Sequence, residues 1–254
     1  MKNARTHKHN IFFVALGVLF AIILYEIFFF ATRGKFVPEF FYAFGHAFTL
    51  LGSTSFLLSF GYTLLRTLIG FLLSLFLGLS FGLFAGYYSR LSSFLSPLVS
   101  ILRSVPRIAV IFILALYVPH FYLAVVFLLC FPIAYEASRE SVNNCCDRFR
   151  SEFALEGNKG RKNILFVCLP LSVPDFLCAA RQCLGLSFKA EIRAETFGYT
   201  SSFHGLGKNI YRFYQEGDFT SLTEYILILL VFCILIDLLL SFLKNKIRIH
   251  SNIE

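Results

Sequence analysis

Residues 152–170 read Glu-Phe-Ala-Leu-Glu-Gly-Asn-Lys-Gly-Arg-Lys-Asn-Ile-Leu-Phe-Val-Cys-Leu-Pro, a charged stretch between two hydrophobic parts of the chain. It is too polar to span a bilayer, because a spanning helix needs about 20 mostly apolar residues. Gly157 permits a tight turn or the close approach of a partner. Pro170 suits the first turn of the following helix, where its missing N–H is not needed. The stretch therefore predicts a folded polar connection between two membrane-spanning segments.

The composition of the whole chain indicates an integral membrane protein. Of its 254 residues 57% are hydrophobic and 15% are charged, with 33 Phe and no Trp, whereas a soluble domain is only about half apolar. A chain of this length has room for about five to seven spans. We predict one all-α transmembrane domain over residues 1–254. The predicted spans are 11–31, 56–86, 95–118, 121–137, 171–198 and 222–243.

The first of these spans could instead be a signal peptide. Three basic residues, Lys2, Arg5 and Lys8, precede an apolar run from Ile11 to Ala31. That run is longer than the hydrophobic region of a typical signal peptide, and no small-residue cleavage site follows it. We therefore expect an uncleaved first span.

The net charge of +8 could point to nucleic acid in a soluble protein. In a membrane protein, cytoplasmic loops are enriched in Lys and Arg. Most of the basic residues fall before the first predicted span, in 138–170 and after the last span. Only Arg33, Lys35, Lys208 and Arg212 fall in the segments that would then lie on the outer side of the membrane. We therefore predict cytoplasmic N- and C-termini, a cytoplasmic 138–170 segment, contact with lipid and no nucleic-acid partner.

The seven cysteines show neither a C-x-x-C motif nor a neighbouring pair of histidines, so we predict no disulfide framework and no metal site. The chain has no Walker or Rossmann glycine pattern, so no recognisable motif binds a nucleotide. We accordingly predict no catalytic residue and no cofactor.

Three glycines recur every four residues in the second span, at Gly78, Gly82 and Gly86. They lie on one helix face, and small residues let helices in lipid approach closely. The favoured interpretation is helix packing. The alternative is a pathway lining that moves during transport.

Charged side chains within spans are costly in lipid and usually face the bundle interior or a water-filled cavity. At 100° per residue, Lys189 and Arg193 share one face of the fifth span, and Glu191 and Glu195 share the nearly opposite one. No opposite charges have helical spacing, so either the partners come from other helices or the segment reaches the outer interface. The candidates for a translocation pathway are Arg66, Arg103, Arg107, Lys189, Glu191 and Glu195. The alternative is structural pairing or snorkelling. The charged residues within the spans carry a net positive charge, and if several of them face a shared cavity, that cavity would favour an anionic substrate.

Several short motifs in order resemble the inner-membrane permeases of ATP-binding-cassette importers, in particular the nitrate/sulfonate/taurine group. The spacing Gly157-x9-Val167-x-Leu169-Pro170 is similar to their E-A-A-x3-G-x9-I-x-L-P loop, although Ser151, Glu152 and Phe153 hold the first three positions. The other matching stretches are Thr63-Leu-Leu-Arg-Thr-Leu-Ile-Gly-Phe-Leu-Leu at 63–73, Ser96-Pro-Leu-Val-Ser-Ile-Leu-Arg-Ser-Val-Pro at 96–106, Gly185-Leu-Ser-Phe-Lys189 and Ala194-Glu195. The resemblance covers residues 62–198.

The resemblance implies a six-span permease subunit that is not itself an enzyme. Two copies would form the translocation path, and a periplasmic or lipid-anchored binding protein would deliver a small solute, such as a sulfonate, nitrate or taurine-like anion. Cytoplasmic ATPases would dock on the loop at 151–169. The residues implied in docking are Glu152, Ala154, Gly157, Val167, Leu169 and Pro170.

Three other interpretations remain open. The 151–169 loop could lie on anionic lipid. The chain could be a secondary transporter driven by an ion gradient, for which inverted repeats would be expected, or a membrane scaffold that does not transport.

Overall fold

The computed structural model describes residues 2–35, 37–117, 121–155, 160–197 and 204–251. Within these ranges every regular element is a helix, which confirms the predicted all-α fold. The helices are α1 (Lys2–Thr32), α2 (Phe40–Leu51), α3 (Thr54–Tyr87), α4 (Ser89–Ser104), α5 (Arg107–Tyr117), α6 (Phe121–Arg148), α7 (Arg150–Leu155), α8 (Gly160–Asn163), a π-helical turn (Ile164–Cys168), α9 (Leu169–Phe197), α10 (Leu206–Glu216) and α11 (Phe219–Ser251).

Several of these helices are long and apolar enough to cross a membrane. In the described residues they are Thr54–Tyr87, Phe121–Arg148, Ile164–Phe197 and Phe219–Ile236, with a fifth span if the bent pair α4–α5 is one crossing. The described apolar part of α1, Leu19–Thr32, and the whole of α2 are shorter. The predicted spans 56–86, 121–137, 222–243 and, as far as Phe197, 171–198 all lie on long helices, whereas a crossing at 11–31 stays a prediction.

The chain divides into two compact units. One contains residues 1–57 and 210–231, and the other contains 58–209 and 232–254. In the first unit the Tyr25 hydroxyl donates to the Pro38 carbonyl oxygen at 2.9 Å, and Glu26 accepts from the Phe40 N–H at 3.1 Å. These bonds fix the turn between α1 and α2, and the second one satisfies a backbone N–H that the start of α2 leaves unpaired.

The second unit is built on close packing of α6 against α3 and α9. Side chains added at four α3 glycines, Gly70, Gly78, Gly82 and Gly86, would each meet α6 closely. At Gly78 an added Cβ would lie 2.9 Å from the Phe131 carbonyl oxygen. Packing of helices is thus the role of the glycine face, as the favoured interpretation predicted.

The predicted third span, 95–118, falls on two helices that are bent relative to each other. Ser89–Ser104 and Ile108–Tyr117 are bent by 98° relative to each other. The break falls at Val105, which is extended with φ −70° and ψ 132°. Pro106 is the cause, because proline disfavours α-helical geometry in the residue before it and has no N–H to continue the helix.

The polar stretch also ends differently from the expectation that Leu169-Pro170 opens a new helix. The helical run begins at Gly160 and continues through the π-helical turn into α9, so Pro170 lies inside it. The Leu169 N–H donates to the carbonyl oxygen of Ile164, five residues earlier. A proline ring clashes with the carbonyl of residue i−4 in an α-helix, and the wider turn just before Pro170 displaces that carbonyl.

Candidate functional site

The strongest polar cluster lies in the second unit, where α3, α9 and the chain at 204–207 meet. Its centre is the Glu195 carboxylate near the end of α9, which is fully buried. Buried carboxylates are stable only when paired and hydrogen-bonded. The partners of Glu195 therefore show what this part of the fold is arranged to hold.

Glu195 accepts hydrogen bonds from side chains of α3. The Thr63 hydroxyl lies 2.8 and 2.9 Å from its two oxygens, and Arg66 Nη1 donates to Oε1 at 3.0 Å. The buried charge of Glu195 is thus compensated by a helix more than a hundred residues away in sequence. This confirms the prediction that its partner comes from another helix.

The first turn of α10 supplies the remaining partner. The Gly207 N–H donates to Glu195 Oε2 at 3.0 Å, and the Leu206 N–H donates to the Thr63 hydroxyl at 3.0 Å. A Cβ added at Gly205 would lie 2.7 Å from the carboxylate, and one at Gly207 would lie 2.7 Å from Glu195 Cβ. Only glycine at these two positions lets the start of α10 approach so closely. A carboxylate at a helix N-terminus is also favoured by the helix dipole.

Arg66 links the cluster to two further segments. Its guanidinium donates to the His204 carbonyl oxygen at 2.9 Å and lies 5.3 Å from the ring centroid of Tyr122 on α6. The Tyr62 ring lies 5.8 Å away on another side and stacks on the His204 ring. With an exposed side-chain fraction of 20%, Arg66 is held by an ion pair, a carbonyl and aromatic faces together.

Glu191 lies one turn before Glu195 and is also fully buried. In the part of the chain that the structure describes, neither of its carboxylate oxygens has a hydrogen-bond partner. Burial penalises a charged carboxylate that lacks such partners. Glu191 therefore differs from Glu195 in its surroundings, although the two share a helix face.

The charges of α9 are separated by sign. Lys189 and Arg193 are exposed, whereas Glu191 and Glu195 are buried. This confirms the predicted arrangement of the four charges on two faces. The basic face of α9 is thus accessible, and the acidic face is enclosed by the fold.

The other pathway candidates do not join this cluster. Arg103, at the end of α4, forms an ion pair with Glu136 of α6, and their side chains are 57% and 38% exposed. Arg107 begins α5, and its side chain lies outside the described residues. Of the six predicted residues, the structure brings together Arg66, Glu191 and Glu195.

The predicted docking segment is anchored by apolar side chains. Phe153 and Ile164 pack with Val142 of α6, Leu83 of α3 and Cys168; we name this set the anchoring cluster. Two predicted docking residues, Val167 and Leu169, are partly buried against it. They hold the segment in place rather than presenting a surface.

The outward side of the segment carries other residues. Glu152, Ala154 and Pro170 are exposed, as a docking role requires. Leu155 is 88% exposed and Phe166 is 76% exposed. Gly157 lies outside the described residues.

Sequence reasoning missed several of these residues. Thr63, Gly205 and Gly207 went unassigned, and the spacing of two glycines around Leu206 is the signal that could have marked a close backbone approach. Leu155 and Phe166 were missed because they lie between the positions that the loop motif specifies.

The fold and this cluster define a helical membrane protein with polar residues enclosed between its helices. Residues 78–249, more than half of the chain, match the family of binding-protein-dependent transport system inner membrane components. The chain belongs to this family. No curated protein matches it at a significant level.

Membership makes the chain a multi-pass permease component of an ATP-binding-cassette importer in the inner membrane. The family implies association with an ATPase subunit and a substrate-binding protein. A permease component contributes transport rather than catalysis.

Proposed function

We propose that the chain is the permease subunit of an ATP-driven importer for a small anionic solute. Two copies form the translocation path, and an ATPase docks on residues 151–169 of each copy at the cytoplasmic side. A periplasmic or lipid-anchored binding protein delivers the solute from outside. Closure of the ATPases moves the docked segments, and the helices alternate between outward-open and inward-open states. ATP is hydrolysed by the partner and not by this chain.

The observation that carries this proposal is the two-sided character of the docking segment. Its inner side chains pack into the anchoring cluster, whereas Leu155 and Phe166 are exposed, as are Glu152 and Pro170 along the chain. In a segment that lies outside the membrane, exposed apolar residues close in sequence to a charged residue such as Glu152 are typical of protein interaction sites. A rigid anchor behind that surface allows a movement of the ATPase to reach α6 and α9.

The docking proposal is tested with the complete complex reconstituted in lipid vesicles. Phe166→Ala should reduce both ATPase association and the ATP hydrolysis that the loaded binding protein stimulates, because an exposed contact is lost while the anchoring cluster is intact. Phe76→Ala is the matched control, because Phe76 on α3 is 70% exposed and lies outside the segment. Unchanged association and stimulation in Phe166→Ala would contradict docking at this surface.

The sign separation on α9 supports an anionic substrate. Its acidic residues are enclosed, so Lys189 and Arg193 leave a positive exposed face, which would attract anions along a translocation path that it lines. Lys189→Met should lower uptake of a sulfonate or carboxylate more than it lowers the amount of protein in the membrane. Arg212→Met is the control, since Arg212 is exposed on α10 and pairs with Glu216 at 3.8 Å. Wild-type uptake by Lys189→Met would remove the support for an anionic solute.

A further inference from the structure

Two pairs of cysteines join α6 to the helical run of the π-helical turn and α9. Cys130 lies opposite Cys183, and Cys146 lies opposite Cys168 with 4.0 Å between their sulfur atoms. The described residues contain no group of three metal-ligating side chains placed to hold an ion. The chemistry open to these pairs is therefore that of thiols.

The two pairs differ in their surroundings. Cys130 and Cys183 are fully buried, and each thiol donates to the backbone carbonyl oxygen of the other residue, at 3.4 and 3.5 Å. Such a pair behaves as two small hydrophobic residues. Cys146 is partly exposed and its sulfur lies 4.0 Å from that of Cys168, whereas Cys145, which also packs beside Cys168, is buried.

Cys168 lies in irregular helical backbone. Cys168 ends the π-helical turn, and such turns are frequent at functional sites. A disulfide requires the two sulfur atoms to approach to about 2.05 Å. The wide turn on one side and the last turns of α6 on the other are the parts that must adjust.

We propose that Cys146 and Cys168 form a redox-sensitive pair that is oxidised to a disulfide by a hydroperoxide. The thiolate of Cys146 attacks the peroxide, which is reduced to water or an alcohol, and Cys146 becomes a sulfenic acid. The Cys168 thiol then attacks that sulfur, and the second oxygen leaves as water. A cytosolic dithiol reductant reverses the change, as is usual for regulatory disulfides in that compartment.

The disulfide would covalently join α6 to the π-helical turn that carries Phe166. Because Cys168 belongs to the anchoring cluster, closing the 4.0 Å gap between the two sulfur atoms would displace the π-helical turn and with it the docking surface. This effect on coupling rests on the proposed function, whereas formation of the disulfide does not. The pair is thus a modification site that would lower transport when peroxide rises.

The first test uses the full chain in membranes without its partners. In a Cys178→Ser/Cys233→Ser background, mild hydrogen peroxide should yield an intrachain disulfide that peptide mapping by mass spectrometry assigns to Cys146 and Cys168. The Cys130/Cys183 pair should stay reduced and serves as the internal control. Cys145→Ser should retain the disulfide, and Cys146→Ala should abolish it. Absence of the 146–168 disulfide, or oxidation of Cys130 and Cys183 instead, would overturn the proposal.

The second test uses the reconstituted complex. Peroxide should bring stimulated ATP hydrolysis down to the basal rate in the background chain and not in Cys146→Ala, and a dithiol reductant should restore it. Formation of the disulfide without loss of stimulation would overturn the regulatory part. A reduced complex that shows no stimulation would instead count against the proposed function, so the two failures are distinguishable.

Discussion

At the scale of single residues, the two buried glutamates of α9 show how position determines role. Glu195 accepts from two side chains and one backbone N–H, whereas the described residues offer Glu191 no hydrogen bond. The two residues are one helical turn apart, and both are fully buried. Their difference comes from α3 and α10, which contribute donors at only one of the two positions.

This difference predicts unequal effects of the same substitution. Glu195→Gln should lower the free energy of unfolding by about 1–3 kcal/mol, because Arg66 loses its charged partner in a mostly buried site. The measurement is thermal unfolding of the purified protein in detergent.

Glu191→Gln is the matched control one turn away. It removes a buried carboxylate that makes no recorded hydrogen bond, so stability should be unchanged or higher. An equal loss in both variants would show that the partners of Glu195 do not stabilise the fold.

At the scale of elements, the contact between α3 and α6 depends on a series of glycines. Four of them face α6 where no side chain fits, whereas Gly61 on the same helix has open space around it. Close backbone approach gives two helices in lipid more dispersion contact. The glycines of α3 thus allow the backbones of α3 and α6 to make the close contacts that hold the two helices together.

Gly82→Ala should therefore destabilise the protein. The added Cβ would overlap the carbonyl oxygen of Tyr135 and lie 2.7 Å from Ser138 Cβ, and overpacking of this kind costs about 1–3 kcal/mol. Gly61→Ala introduces the same methyl group into open space on the same helix, where alanine favours the helical backbone. Thermal unfolding in detergent compares the two, and equal midpoints would contradict a tight α3–α6 contact.

The sequence predicted these elements unevenly, for physical reasons. Hydrophobic length identified α3, α6 and α11, because lipid demands long apolar helices. The α2 and α10 helices were missed, since they are shorter than a span. The bend at Val105 was missed although Pro106 was noted, because hydropathy does not register backbone geometry.

The polar cluster was predictable only in part. The spacing of Glu191 and Glu195 gave their shared face, and the absence of a partner at helical spacing required another helix. The sequence could not identify α3 as that helix, because Thr63 lies 132 residues from Glu195. Tertiary packing alone brings them together.

At the scale of the whole molecule, the membrane topology determines on which side of the bilayer the docking segment lies. The basic residues of 138–170 predict, by the positive-inside rule, that this segment lies in the cytoplasm. The exposed apolar residues of α7 and the π-helical turn are useful to a cytoplasmic ATPase only in this orientation. The orientation is therefore the prediction on which the proposed coupling depends.

Single cysteines introduced into a chain that lacks the native ones should report that orientation. A membrane-impermeant thiol reagent should label positions within 33–50 and 200–215 in intact cells. Lys159→Cys should be labelled only after permeabilisation, because it lies in the predicted cytoplasmic segment. Labelling of Lys159→Cys in intact cells would overturn the arrangement, including the proposed docking segment.

The bond between Arg66 and Glu195 has a consequence for biogenesis. The two residues are 129 positions apart, and Gly207 follows Glu195 by 12 more. During synthesis α3, with Arg66, enters the bilayer before the ribosome has made Glu195. The charge of Arg66 therefore has no Glu195 carboxylate beside it until α9 is inserted. Nascent chains that stop before residue 195 keep that uncompensated charge. Pulse-chase labelling should therefore show faster turnover of chains truncated before residue 195 than of the full chain, and equal lifetimes would contradict this consequence of the late ion pair.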